Sequence, residues 1–309
     1  MDMDGRPLVS VGIPTYNRAS HLVRALESVL AQDYPSLEVI LSDNASTDET
    51  EQVGRDYAAR DPRVKYFRQT INLGLTRNFL EAFQKGHGPY FMWLADDDWL
   101  DPGYITACVT ALESDPGLVL AAGRARSYRE GEIIGDGVLM NLDQTSPAKR
   151  LLRYYAKVGD NGTFYGVGRR AAMERMTFVN TIGGDWLCIA SLAYQGQIRT
   201  LEQVRVHRQL GGASSSRTNI AKTLGLPWFQ ARFTHLAIAL SASRDVAFHG
   251  LAYADRSRFP RIRLALRVFL QLLVSKVLVQ NLKSLAVWAA ISVLGKSNYK
   301  KIRGKPSPK

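Results

Sequence analysis

The feature that most constrains the fold is a repeated alternation, through the first hundred residues, of short and almost continuously apolar runs with amphipathic segments. LVSVGI (8–13), LEVILS (37–42), VKYFRQ (64–69) and YFMWLA (90–95) have the length of strands and are rich in branched and aromatic side chains. Between them, segments 20–32, 48–59 and 75–85 have helical character; in the first, Leu22, Val23, Leu26, Val29 and Leu30 recur at helical spacing. A strand apolar on both faces must be covered on both faces. The pattern therefore predicts an α/β fold with a mostly parallel sheet sandwiched by helices, and ligands belong at the carboxyl ends of its strands. Pro14 is expected to end the first strand, and Ser46 or Thr47 to cap the second helix.

The alternation continues with a helix from Pro102 to about Glu113 and a strand over 118–128, then weakens. Residues 130–163 mix Gly, Asp and polar loops around one basic helical stretch at 147–158. TFYGVGRR reads as a strand entering the helix AAMERM, and WLCIASLAYQ followed by IRTLEQVRVHR as a last helix and strand. GGASSSR (211–217) reads as a loop or lid, with Ser214, Ser215, Ser216 and Arg217 available to close on a ligand.

Charge divides the chain. Residues 1–221 hold 24 Lys and Arg against 26 Asp and Glu, whereas residues 222–309 hold 16 against 2. Residues 218–309 are expected to form a basic helical extension, with helices over 226–240 and from 258 to about 294. Arg267, Lys276 and Lys283 interrupt its apolar run, which argues against a spanning helix. Lys276, Gln280 and Lys283 fall on one stripe, as in a helix lying on an anionic membrane surface. The alternative is a helical hairpin packed on the rest of the chain or on a second copy in a homo-oligomer. Cys108 and Cys188 lie in apolar stretches without metal-ligand spacing and read as buried free thiols. With an acidic N-terminus that lacks a leader pattern, the expected location is cytoplasmic, peripheral at the inner face of the membrane.

Four polar clusters end four consecutive strands: PTYNR (14–18), SDNAS (42–46), NLGLTRN (72–78) and ADDDW (95–99). Three adjacent carboxylates at the ligand edge of a sheet repel one another and call for a cation. Hard divalent ions such as Mn²⁺ or Mg²⁺ take oxygen ligands and share them with phosphates.

This ordered set resembles the family 2 glycosyltransferases with a GT-A fold, over roughly residues 8 to 215, with 1–217 as the glycosyltransferase domain. The resemblance implies a nucleotide-sugar donor and a saccharide or lipid-linked saccharide acceptor in surface polysaccharide biosynthesis. It places Tyr16 against the base, Thr15 and Asn17 near base and ribose, and Pro14 at the turn that holds them. Asp43 would accept from the base N3–H, favouring UDP- or dTDP-sugars, with capping of the second helix as its bland alternative. Asn72 and Gly74 would let the backbone pass close to the nucleotide, and Arg77 would reach the phosphates or else lie exposed on its helix. Asp96 and Asp98 form the DxD pair, Asp98 toward the metal and Asp96 toward ribose or metal, with Asp97 kept because the register is open by one.

The segment IGGDWL (182–187) resembles the acceptor-side acidic motif, which makes Asp185 the candidate base of an inverting transfer, helix capping being the alternative. His207 resembles a histidine that completes the metal or diphosphate site, and its imidazole favours Mn²⁺ over Mg²⁺. The QxxRW motif and multiple spanning helices of processive synthases are missing, so single transfer is expected. Two other classes compete. A nucleotidyltransferase would carry a Gly-rich loop where PTYNR stands, and a nucleic-acid-binding protein would interleave aromatics with its basic charges, which happens little here.

Overall fold

The computed structural model describes residues 5–211 and 216–278. Its first half is the alternating unit: β1 (Val9–Thr15), α1 (Ala19–Leu30), β2 (Leu37–Asp43), α2 (Thr50–Arg60), β3 (Val64–Arg68), α3 (Leu75–Lys85) and β4 (Tyr90–Trp93). β1 lies between β2 and β4, β3 lies outside β2, and all four run parallel. Every residue of β1 and β2 is buried, as their two-sided apolar character requires. Helix α1 turns Leu22, Ala25, Leu26 and Val29 inward at the spacing of one helical face. β1 runs on through Pro14, which pairs with Ser42, to Thr15 opposite Asp43. Pairing with β4 has already stopped at Gly12 opposite Trp93, so the missing proline N–H falls where β1 has one neighbour only. The start of α2 is held by Asp48, whose Oδ1 accepts from the Thr50 amide at 3.0 Å, rather than by Ser46 or Thr47.

The second half adds β5 (Trp99–Leu100), α4 (Tyr104–Ser114), β6 (Leu118–Arg129), β7 (Glu132–Asp136), α5 (Pro147–Lys157), β8 (Val167–Arg169), α6 (Arg170–Met173), α7 (Gly184–Gln195) and β9 (Gln197–Gln209). The sheet order is β3-β2-β1-β4-β8-β6-β9-β5, with β7 paired to β6. β6 and β9 run in the direction of the first four strands; β5, β7 and β8 run against it. The sheet is therefore mixed and mostly parallel. Pairing of Trp99 with His207 brings the end of β9 beside the acidic turn that follows β4.

Among the described residues four α-helices follow: α8 (Arg217–Thr223), α9 (Trp228–Arg232), α10 (Thr234–Arg244) and α11 (Arg258–Leu272), the last continuing as a π-helical turn to Leu278. The helix expected over 226–240 is broken at Phe233. Ile238, Ala239 and Ala242 of α10 and Leu264, Val268 and Leu272 of α11 share one core with Leu151, Tyr154, Leu187 and Leu192. The described part of the basic extension is thus packed on the sheet domain. Lys276 departs from the expected exposed stripe: it is buried, and its Nζ donates to the carbonyls of Val158 and Ala156 at the end of α5, which lack partners within that helix. Gln280 and Lys283 lie outside the described residues. A different face of these helices is bare: Leu236 and Leu240 of α10, and Phe259, Ile262, Leu266 and Leu270 of α11, are exposed, with Arg258, Arg263 and Arg267 exposed among them. Among the described residues no helix is long and apolar enough to cross a membrane. Cys108 and Cys188 are buried and free.

Candidate functional site

A cavity of about 460 Å³ opens at the carboxyl ends of β1, β2 and β4, and Pro14, Thr15, Tyr16, Asn72, Gly74, Asp96, Asp97 and Asp98 all face it. Its shape is set by backbone locked through side-chain amides. Asn17 holds a left-handed φ of 52°, which asparagine tolerates, and its Oδ1 accepts from the Thr47 amide at 2.7 Å while its own amide donates to Ser46 Oγ. Asn44 donates to Asn72 Oδ1 and accepts from the Leu73 amide, both at 2.8 Å. Gly74, at φ 83° with open space where a Cβ would stand, turns the chain into α3. Tyr16, 43% exposed, lies on the cavity rim, where its ring is available for stacking.

Asp96 and Asp98 are nearly buried, and burial, then the charge of Asp97, pushes both up to about 7. Asp97 is relieved by Arg18, at 3.4 Å. Asp98 Oδ1 accepts from the Gln209 amide at 2.8 Å. Two desolvated carboxylates whose charged forms are penalised suit a hard divalent ion, which would offset that penalty. Among the described residues no group of three or more His, Cys, Asp or Glu is placed to hold one ion. The remaining ligands would then come from phosphate and water, the usual mode for Mg²⁺. His207 is engaged elsewhere. Its Nε2 meets Asp101 Oδ1 at 2.7 Å, its Nδ1 meets the Tyr128 hydroxyl at 2.9 Å, and its ring stacks on Trp99. Neither nitrogen is left for a metal in this arrangement, and the reason for preferring Mn²⁺ goes with it.

A second cavity, of about 560 Å³, adjoins the first; Leu75, Phe79, Tyr165 and Arg208 line both. Among the described residues Asp185, in the first turn of α7, is the one carboxylate on its wall. Gly183, at φ 77° and with Ile238 where a Cβ would stand, is what lets the chain enter that helix. Burial raises the Asp185 pKa, while a hydrogen bond from Asn161, the charge of Arg208 and first-turn amides pull it back. Asn161 Nδ2 donates to Asp185 Oδ2 at 2.9 Å, and the buried Tyr154 hydroxyl donates to Asn161 Oδ1 at 3.0 Å, which fixes the amide's orientation. Aromatic side chains, Phe164, Phe178 and Trp186 among them, form much of the remaining wall.

Besides His207, three expected residues lie off both cavities. Asp43 is fully buried, with Oδ1 accepting from the Ser46 amide and Oδ2 from the Tyr66 hydroxyl at 2.6 Å; Asn44 faces the cavity beside it. Arg77 points outward, 64% exposed, toward Glu81. Asn17 supports the loop from behind. Sequence reasoning passed over Arg18, Asn44, Asn161 and Arg208. For Arg208 a signal existed: neighbours on a strand face opposite sides, so His207 and Arg208 could not both face the acids.

The sequence model of the family described as Glycosyl transferase family 2 matches residues 10–177. The chain is 28% identical over 180 residues to GalNAc(5)-diNAcBac-PP-undecaprenol beta-1,3-glucosyltransferase of Campylobacter jejuni, a stretch covering 58% of this chain and 57% of that relative. In solved structures, Staphylococcus aureus TarS 1–349 superimposes with a TM-score of 0.60 at 16% identity, covering 87% of this chain and 72% of that one. The mannosyltransferase PcManGT from Pyrobaculum calidifontis, in complex with GDP-Man and Mn²⁺, gives 0.56 at 20% identity, covering 94% and 81%. At these identities the likeness is one of fold.

Proposed function

Because this chain belongs to glycosyltransferase family 2, we propose that it is an inverting transferase that moves a single sugar from a nucleoside-diphosphate carrier to an acceptor hydroxyl. The observation that carries the reading is the pair of adjoining cavities, one holding the buried acids Asp96 and Asp98 and the other Asp185, its one carboxylate among the described residues. Thr15, Tyr16, Asn72 and Gly74 hold the nucleoside, with Tyr16 stacking on the base. Asp98 and Asp96 hold a divalent ion, which supplies charge neutralisation to the diphosphate. A neighbour of the same fold was solved with Mn²⁺, but with His207 engaged this chain's own residues favour neither Mn²⁺ nor Mg²⁺. Asp185, its pKa raised by burial, takes the proton from the acceptor hydroxyl. With Asp43 buried and its oxygens accepting from Ser46 and Tyr66, its position lends no support to a preference for uracil or thymine.

The proposed acceptor is a lipid-linked saccharide of surface polysaccharide assembly, reached from the inner face of the membrane. The relative acting on a PP-undecaprenol substrate supports this, as does the bare apolar face of α10 and α11 with its arginines, which suits an anionic bilayer surface. Calorimetric titration of UDP, dTDP and GDP, with Mn²⁺, with Mg²⁺ and without metal, into wild type and Asp98→Ala tests the donor site. Metal-dependent binding lost in the variant supports the reading; no binding of any nucleotide would overturn it. Sedimentation with phosphatidylglycerol vesicles but not phosphatidylcholine vesicles supports the membrane partner, while a shift of RNA, or dimerisation without vesicle binding, would assign that face otherwise.

A further inference from the structure

Most arginines of this domain are committed to structure. Arg150 shows what commitment looks like: its guanidinium donates to the carbonyls of Ala193, Tyr194, Gln144 and Thr145 and is buried in doing so. Arg208 differs. Its Nη1 stands 3.6 Å from Asp160 Oδ1, longer than a hydrogen bond, its Nε is shut from solvent with no hydrogen-bond partner among the described residues, and its charge lies over the Tyr165 ring. Its attachment is rigid, because the next residue, Gln209, donates its amide to Asp98. Of the four residues common to both cavities it is the one that carries charge, and Asp98, Asp160 and Asp185 all lie within its electrostatic reach. A cation so placed, and so little used, is a ready partner for an anion that sits between the two acids.

We propose that Arg208 binds the diphosphate of the donor at the junction of the two cavities and steadies it as the leaving group. The inference rests on the transferase reading above. In the step itself the acceptor oxygen forms a bond to the anomeric carbon, its proton passes to Asp185, and the bond from that carbon to the phosphate oxygen breaks. The electron pair stays on that oxygen, where the Arg208 guanidinium donates a hydrogen bond and gives up no proton. A fork of fixed donors matches two phosphate oxygens at once, which a lysine cannot do.

The test uses the full-length protein with Mn²⁺ and compares a nucleoside diphosphate with its monophosphate: UDP with UMP, or GDP with GMP if the wild type binds the purine. Arg208→Gln should weaken the diphosphate by about tenfold or more, the effect of one charged hydrogen bond, and leave the monophosphate within about twofold. Arg208→Lys, which keeps the charge without the fork, should fall between. Asp160→Asn, which removes the competing carboxylate, should bind the diphosphate at least as tightly as wild type. Equal weakening of both nucleotides, or of neither, in a folded Arg208→Lys protein overturns the proposal. A wild type that binds no nucleotide would overturn the transferase reading and this inference with it.

Discussion

Removing Asn161 should change how the rate depends on pH more than it changes the maximal rate. Asn161 donates to Asp185 at 2.9 Å and is itself oriented by the Tyr154 hydroxyl at 3.0 Å. Burial raises the Asp185 pKa and this hydrogen bond opposes the rise, so in Asn161→Ala the ionised base is harder to form. A hydrogen bond to an ionised carboxylate contributes about 1.5–3 kcal/mol, and since this one is partly exposed the lower end applies, about tenfold. On the acidic limb of the profile kcat/KM of the variant should therefore fall about tenfold, and the gap should close as pH rises and the base ionises in both proteins. The same change leaves the buried Tyr154 hydroxyl without its acceptor, about 1–3 kcal/mol of stability, so the melting temperature should drop by several degrees and each assay must be run well below it. The assay is release of the nucleoside diphosphate from the donor sugar, followed from pH 5 to pH 9. A loss of equal size at every pH would refute the reasoning and leave Asn161 a purely structural role.

The acids of the donor cavity predict a pH-dependent stability. Burial lifts Asp96 and Asp98 from 3.8 to about 7, so in that window the folded chain keeps protons the unfolded chain has released, and metal-free stability should fall as pH rises through it. Mn²⁺ competes with those protons, so scanning calorimetry should find a larger Mn²⁺-induced rise in melting temperature at pH 7.5 than at pH 5.5, and none in Asp98→Ala. His207→Ala, which breaks the contacts to Asp101 and Tyr128, should lower stability by about 1–3 kcal/mol while leaving Mn²⁺ affinity unchanged in calorimetry. Leu266→Glu, on the bare face of α11, should reduce sedimentation with phosphatidylglycerol vesicles without lowering the melting temperature, whereas Lys276→Ala, which uncovers the carbonyls of Val158 and Ala156, should do the reverse.

What could be read from the sequence was local. β1, β2 and β4 announce themselves because burial on both faces demands apolar residues at nearly every position, and the polar clusters that end them mark the cavity edge at Thr15, Asn44 and Asp96. What could not be read depends on contacts between distant segments. The Tyr66 hydroxyl, from β3, closes over Asp43, which by itself looks like any ligand-binding turn acid. Strand alternation separates His207 from Arg208, but only the pairing of Trp99 with His207 decides which of them faces outward. Lys276 sits on a helix of the right period, yet its partner is Val158, 118 residues away, and no pattern near Lys276 reveals that. Antiparallel β8, three residues long and set between β4 and β6, is too short to leave a periodic signal.

In the proposed transferase two adjoining cavities divide the labour of donor binding and proton transfer, and one pair of measurements on Asp185→Asn tests that division: affinity for the nucleoside diphosphate and rate of sugar transfer. Donor affinity should stay within about twofold of wild type and transfer should slow at least a hundredfold, as for loss of a general base. Transfer at the wild-type rate would contradict that division, and so would loss of nucleotide binding equal to the loss of rate.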